Sequence, residues 1–246
     1  MIIGSKLIFF KNLPSTNAEA ANLLKTNDLP EGSVIYTNYQ SAGKGQVDNK
    51  WESEDGKNLL ISIVLYPSMV NPSDQFLISM AISLGVCDFT KRYVQDCSIK
   101  WPNDIYVKND KIAGILIENS ICGDKIKKTI AGIGLNINQQ KFLGDAQNPV
   151  SLSLLTGLNF DLGICLSQLT SDLDRRYKQL ISENFTQIRN EYISLLYRLD
   201  EWNDYCDKSG RYKGCIKTVS ENGRLQIEKQ SGEIVKYSFK EVEFIL

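Results

Sequence analysis

A chain of 246 residues, 42 % hydrophobic and 23 % charged, has the length and apolar content for one sizeable domain, or one with a small appendage. Its 28 basic and 29 acidic residues leave a net charge of −1, which argues against affinity drawn mainly from nucleic-acid phosphates. It has no histidine, which removes Ser-His-Asp triads, Cys-His dyads and imidazole metal ligands and leaves catalysis to lysine, carboxylates, amides, backbone groups or a substrate-borne metal.

The six cysteines, Cys87, Cys97, Cys122, Cys165, Cys206 and Cys215, form no C-x-x-C pair, so zinc-ribbon and thioredoxin motifs lack support. No apolar run reaches ~18 residues, and the N-terminus lacks a cleavage-like segment. The expectation is a cytoplasmic protein with reduced thiols and no membrane partner.

In chain order, "KLIFFKNL" reads as a strand leading into "PSTNAEAANLLK", where Ser15, Thr16 and Asn17 all suit the N-cap of an Ala/Leu-rich helix. "GSVIYTNYQ" is a second strand, followed by the small, polar loop "SAGKGQVDNK". "NLLISIVLYP" is an apolar strand ended by Pro67. Apolar residues at helical spacing, including Phe76, Met80 and Leu84, predict a helix from Ser73 to about Gln95. "SIKW" is then a strand, "PND" a turn, and "IYVK-ND-KIAGILIE" a β-hairpin. "KKTIAGIGLNIN" makes another strand, and residues 161 to about 200 read as two amphipathic helices. From about Ser209 the pattern switches to short strands and turns, predicting a small β-barrel. Without regular βαβ alternation, the fold class is α+β: a mixed or largely antiparallel sheet with packed helices over residues 1–205, and a C-terminal β-barrel over 209–246.

Strand alternation separates core from candidate chemistry. In "GIGLNIN", Ile133, Leu135 and Ile137 share one face, and Gly132, Gly134, Asn136 and Asn138 the other. Gly114 takes a matching position in "KIAGILIE". Two neighbouring strands could thus give a ligand a glycine floor, although close helix packing explains the same glycines equally well. The Gly43–Lys44–Gly45–Gln46 loop suits contact with an anion but is neither a Walker A loop nor a dinucleotide fingerprint, and such a loop is usually just a flexible turn. Trp51 could stack on a base or pin the loop to the core. Lys44, Lys100 and Lys111 together suggest a site for a polyanion bound without imidazole, with Lys111 favoured because it starts a strand just past a turn.

"STN", "YQSAGKGQVDNKWES", "KWPNDIYVKNDKIAGILIE" and "AGIGLNIN" resemble, in order and spacing, the biotin protein ligase family, also called biotin–[acetyl-CoA-carboxylase] ligases, over roughly residues 8 to 240. The resemblance implies a class II synthetase-like catalytic domain with an SH3-like terminal barrel. It implies that biotin and ATP form biotinyl-5′-AMP, with Mg²⁺ carried by the ATP, and that biotin then passes to a lysine of the biotin carboxyl carrier protein of acetyl-CoA carboxylase. By motif, Lys111 is catalytic. Ser15, Thr16, Asn17, Gln40, Gly43, Lys44, Gly45, Gln46, Lys111, Gly114 and Gly134 bind biotin or its activated form. Lys44, Trp51, Lys100, Asn103, Lys111 and Asn136 fall on the ATP side. The loop departs from the family's G-R-G-R-x-G, because Lys44 and Gln46 replace both arginines and Asp48 replaces the last glycine. With "STN" at residue 15, a short form without an N-terminal DNA-binding domain is expected, while a homodimer is left open. A lipoate ligase-like enzyme and a non-catalytic biotin-binding protein are the alternatives.

Overall fold

The computed structural model describes residues 1–26, 28–46, 49–144 and 147–245. A seven-stranded sheet is built from β1 (Leu7–Leu13), β2 (Val34–Gln40), β3 (Leu59–Leu65), β4 (Cys97–Lys100), β5 (Asp104–Val107), β6 (Asp110–Cys122) and β7 (Lys125–Leu135). Its order is β1-β2-β3-β7-β6-β5-β4. Only the β1–β2 pair is parallel, because α1 (Thr16–Thr26) crosses between these strands; every other pair is antiparallel. This is the mixed sheet of an α+β fold.

Period-two alternation divides the sheet faces. Along β3, Leu59, Ile61, Ile63 and Leu65 enter the main core, whereas Val64 packs with Ile35, Ile130 and Ala20 in a smaller cluster under α1. The main core is covered by α2 (Phe76–Thr90), α4 (Leu162–Ile181) and α5 (Phe185–Ser194). Nearly every side chain of α2 is buried, which suits a mostly apolar helix packed between the sheet and α4. Each fully buried Leu, Ile or Phe there contributes about 1.5–3 kcal/mol relative to exposure. No helix among the described residues is long and apolar enough to cross a membrane.

Several element ends differ from those expected. The α2 region opens with a 3₁₀ turn at Pro72–Asp74, so the helix proper starts at Phe76 rather than Ser73 and stops at Thr90. Proline suits that first turn because it lacks the N–H a helix start leaves unpaired. The β5–β6 turn is Lys108–Asn109, one residue before the expected pair, since Val107 and Asp110 face each other across it. A short helix, α3 (Leu152–Thr156), is capped by Ser151 and ends on Gly157 at φ 74°.

The C-terminal strands are β8 (Trp202–Asp207), β9 (Gly210–Val219), β10 (Leu225–Lys229), β11 (Ile234–Tyr237) and β12 (Val242–Phe244). They form an antiparallel sheet in the order β11-β10-β9-β8-β12. β8, which precedes the expected start of the C-terminal unit at 209, already pairs in this sheet. Its polar, irregular alternation, "WNDYCD", hides the strand from pattern reading.

The two sheets share one core, with Tyr205, Ile216, Leu225 and Phe244 continuous with Ile99 and Tyr106. Residues 195–200 join them. Ile99 N–H donates to Leu195 O (2.7 Å), Tyr197 N–H donates to Ile99 O (2.9 Å), and Asp200 N–H donates to Ile216 O (2.9 Å).

Candidate active site

Sheet register assembles the site. Lys100, Asp104, Gly114, Gly134 and Leu60 form one transverse row across β4, β5, β6, β7 and β3. Cross-strand neighbours share a face, so both glycines and Asp104 point to the α1 side. Lys111 is three residues from Gly114 and would face the other way in a regular strand. A β-bulge corrects this: Ile105 pairs with Ala113 but Tyr106 with Lys111, leaving Ile112 as the extra residue. Lys111 Nζ thereby reaches Asp104 Oδ1 at 2.7 Å, with both side chains about one-fifth exposed.

A cavity of about 290 Å³ lies over this row. Its floor is glycine because an indole rests on it. A Cβ at Gly134 would meet Trp51 Cε2 at 2.3 Å, and one at Gly114 would meet Cζ3 at 2.8 Å. Lys111 Nζ stands 5.7 Å from the Trp51 ring centroid, and Trp51 Nε1 is buried with no acceptor among the described residues. The loop bearing Trp51 folds back on itself through a Lys44–Lys50 bridge, with Gly45 N–H donating to Asn49 O and Trp51 N–H to Gly43 O.

At the α1 end, polar groups form a chain. Thr16 N–H and Oγ1–H both donate to Gln40 Oε1, at 2.7 and 3.1 Å. Ser62 Oγ shares its single proton between Thr16 Oγ1 (2.7 Å) and Asn17 Oδ1 (2.5 Å). Asn17 Nδ2 donates to Glu118 Oε2 at 2.7 Å. Ser15, Thr16, Asn17 and Gln40 all line the cavity.

The far wall comes from the K-W-P-N-D turn and the second sheet. Lys100 Nζ donates to Tyr106 OH at 3.0 Å and sits 5.2 Å from the Phe244 ring centroid. Burial pushes the Lys100 ammonium below its ordinary pKa; Lys111 and Arg198 add to this, while Asp104 and Glu243 oppose it. Trp101 Nε1 donates to Gly223 O at 2.9 Å, tying the turn to the C-terminal sheet. Lys240 and Val242 complete this wall.

The cavity lining gathers most of the residues singled out from the sequence: Ser15, Thr16, Asn17, Gln40, Lys44, Gly45, Gln46, Trp51, Lys100, Asn103, Lys111, Gly114 and Gly134. Two stand apart from it. Gly43 instead passes close under its own loop, where a Cβ would meet Trp51 O at 2.5 Å. Asn136 lies just past the end of β7 at Leu135. Its Nδ2 donates to Val150 O at 3.0 Å, while its buried Oδ1 lacks a partner among the described residues. Asn103 lines the cavity, yet its Nδ2 is committed to Ile115 O at 2.7 Å. Val47 and Asp48 of the loop lie outside the described residues.

Asp104 and Phe244 line the cavity without having been singled out from the sequence. A regular two-residue turn would set Asp104 against Ala113, and only the bulge at Ile112 brings it opposite Gly114. Nothing local marks Phe244, which meets Lys100 only through tertiary packing.

Residues 9–138 match the model of the biotin/lipoate A/B protein ligase family. Among curated relatives, the biotin–[acetyl-CoA-carboxylase] ligase of Paracoccus denitrificans is 29 % identical, over 90 % of this chain and 93 % of that protein. The bifunctional ligase/repressor BirA of Bacillus subtilis is 27 % identical, over 94 % of this chain and 72 % of that one. Among solved structures, the Aquifex aeolicus biotin protein ligase in complex with biotin and ATP superposes with a TM-score of 0.78 at 25 % identity, covering 97 % of this chain and 98 % of that chain. With its fold, its lysine-bearing cavity and more than half its length matched, the chain belongs to the biotin/lipoate A/B protein ligase family.

Proposed function

We propose that this protein is a biotin–[acetyl-CoA-carboxylase] ligase. It activates biotin with ATP and transfers it to a lysine of the biotin carboxyl carrier protein. The observation that carries this reading is the likeness, over nearly the whole chain, to a biotin protein ligase holding biotin and ATP.

In the first step a biotin carboxylate oxygen attacks the α-phosphorus of ATP, and pyrophosphate leaves. In the second, the neutral amine of the acceptor lysine attacks the acyl carbon of biotinyl-5′-AMP, releasing AMP and a proton. Two anions must meet in the first step, so fixed positive charge is the main protein contribution. Lys111 takes that role beside the carboxylate and α-phosphate, leaving Asp104 as it engages them. Lys100 and Lys44 add charge on the nucleotide side, and Mg²⁺ enters bound to the triphosphate as part of the substrate.

Biotin's ureido group has donors and an acceptor and needs complementary partners. Ser15 Oγ and Gln40 Nε2 make no hydrogen bond with the described residues and suit this group. The Gly43–Gln46 loop and Trp51 cover the acyl-adenylate and keep water from it. The near-neutral charge favours a ligase acting on a protein carrier over a DNA-binding role, and the cytoplasm is the compartment this reading assigns.

Pyrophosphate exchange tests the assignment. Biotin is expected to support it and lipoate is not; exchange with lipoate alone would reverse the assignment. Lys111→Ala is expected to lower adenylation by about 10²–10³-fold while biotin still binds; unimpaired turnover would remove the role given to Lys111.

A further inference from the structure

Asn17 lies buried across a row of the sheet formed by Ser62, Gly132 and Leu116, which are in register on β3, β7 and β6. Gly132 provides the notch for it, since a Cβ there would stand 2.3 Å from Asn17 Oδ1. A buried amide must find partners for both of its ends. Ser62 meets the oxygen at 2.5 Å and Glu118 the nitrogen at 2.7 Å; the other acceptor for that nitrogen, Leu116 O, is a distant 3.4 Å.

Glu118 is exposed on β6 and belongs to neither hydrophobic core. Ionised, it can only accept, so it decides which way Asn17 turns. With Nδ2 drawn to Glu118, Oδ1 faces Ser62. Ser62 also contacts Thr16, whose N–H and hydroxyl hold Gln40 Oε1. Gln40 then presents its NH₂ group, rather than its carbonyl oxygen, to the cavity.

We propose that Glu118 is a positioning residue for biotin. It locks Asn17, and through the Ser62–Thr16 chain it holds the first turn of α1, with Ser15 and Gln40, in the orientation that receives the ureido group. This deepens the ligase reading and rests on it.

The inference separates binding from chemistry. Glu118 does not line the cavity, and Lys111 pairs with Asp104 instead, so loss of Glu118 weakens ground-state and transition-state binding of biotin alike. Such a loss raises KM and leaves kcat unchanged.

The test is steady-state adenylation by the full chain, with biotin and ATP varied separately, for wild type, Glu118→Leu and Glu118→Gln. Glu118→Leu is expected to raise KM for biotin roughly tenfold, the scale of one lost charge-assisted hydrogen bond, with kcat and KM for ATP unchanged. Glu118→Gln retains an acceptor oxygen and is expected to recover most of the affinity. Calorimetric titration with biotin alone is expected to show the same order.

An unchanged KM for biotin in Glu118→Leu overturns the proposal, as does a fall in kcat at constant KM. A parallel rise in KM for ATP, or no recovery in Glu118→Gln, overturns it as well. A wild-type protein that forms biotinyl-adenylate in the same assay separates these failures from failure of the ligase reading.

Discussion

Alanine at position 134 probes the glycine floor directly. Its Cβ would lie 2.3, 2.6 and 2.7 Å from Cε2, Nε1 and Cζ2 of Trp51. Each contact is about 1 Å or more inside the ~3.5–4.0 Å optimum for non-bonded carbons. Gly134 is paired on both sides, with Leu60 and Gly114, so its backbone cannot retreat and the indole must move. Overpacking of this kind costs about 1–3 kcal/mol. For a chain of this length that is a fall of roughly 2–12 °C in Tm.

Trp51→Ala removes the obstacle, and Gly134→Ala in that background is expected to change stability by less than about 0.5 kcal/mol. Urea denaturation of wild type, both single variants and the double variant gives the coupling, expected at about 1 kcal/mol or more. An equal effect of Gly134→Ala in both backgrounds would refute the placement of the indole on the floor. Gly114→Ala, whose nearest contacts are 2.8 and 3.3 Å, is expected to be milder.

Two further outcomes concern the loop and the second sheet. Gln46 lines the cavity where the family usually has arginine, so Gln46→Arg is expected to slow leakage of biotinyl-adenylate into solution; equal leakage, followed by chromatography of free intermediate, would dismiss the idea. Asp207 accepts from Tyr237 OH, Ser209 N–H and Lys229 Nζ, and these bonds, Tyr237's first, hold its pKa at about 2 despite the opposing effect of burial. Because the folded-state value is depressed, its stabilising contribution is full above the unfolded value near 3.8 and is lost as pH falls towards 2. Asp207→Asn is therefore expected to flatten the acid limb of the stability–pH curve between pH 4 and 2, and an unchanged slope would count against the assignment.

Much of the site was legible because its residues sit in short contiguous stretches. The stretch of residues 100–118 carries Lys100, Lys111 and Gly114, and alternation put Gly134 on the same face as Gly132, the side that lines the cavity. Nothing in "GIGLNIN" announces that β7 stops at Leu135, although Ile137 still joins Ile133 and Leu135 in the core. Face assignment for Lys111 depends on a bulge at Ile112 that arises from pairing with β5, and a single strand carries no trace of it. Ser62 reads as one polar residue in an otherwise apolar strand. Its purpose becomes visible only when α1 lies across it. Glu118 likewise meets Asn17 only once α1 is in place.

The cavity brings Ser15 and Phe244 to opposite sides of one small space, although they come from distant ends of the sequence. Closing so long a stretch of chain gives back little until both ends have docked, so the pocket depends on a contact of very high sequence separation. Local loosening of β12 would breach it while leaving most of the central sheet standing. Ligand occupancy and attachment of the last strand are thus thermodynamically linked, and a molecule bound in the pocket would protect the amides around Phe244 from hydrogen exchange.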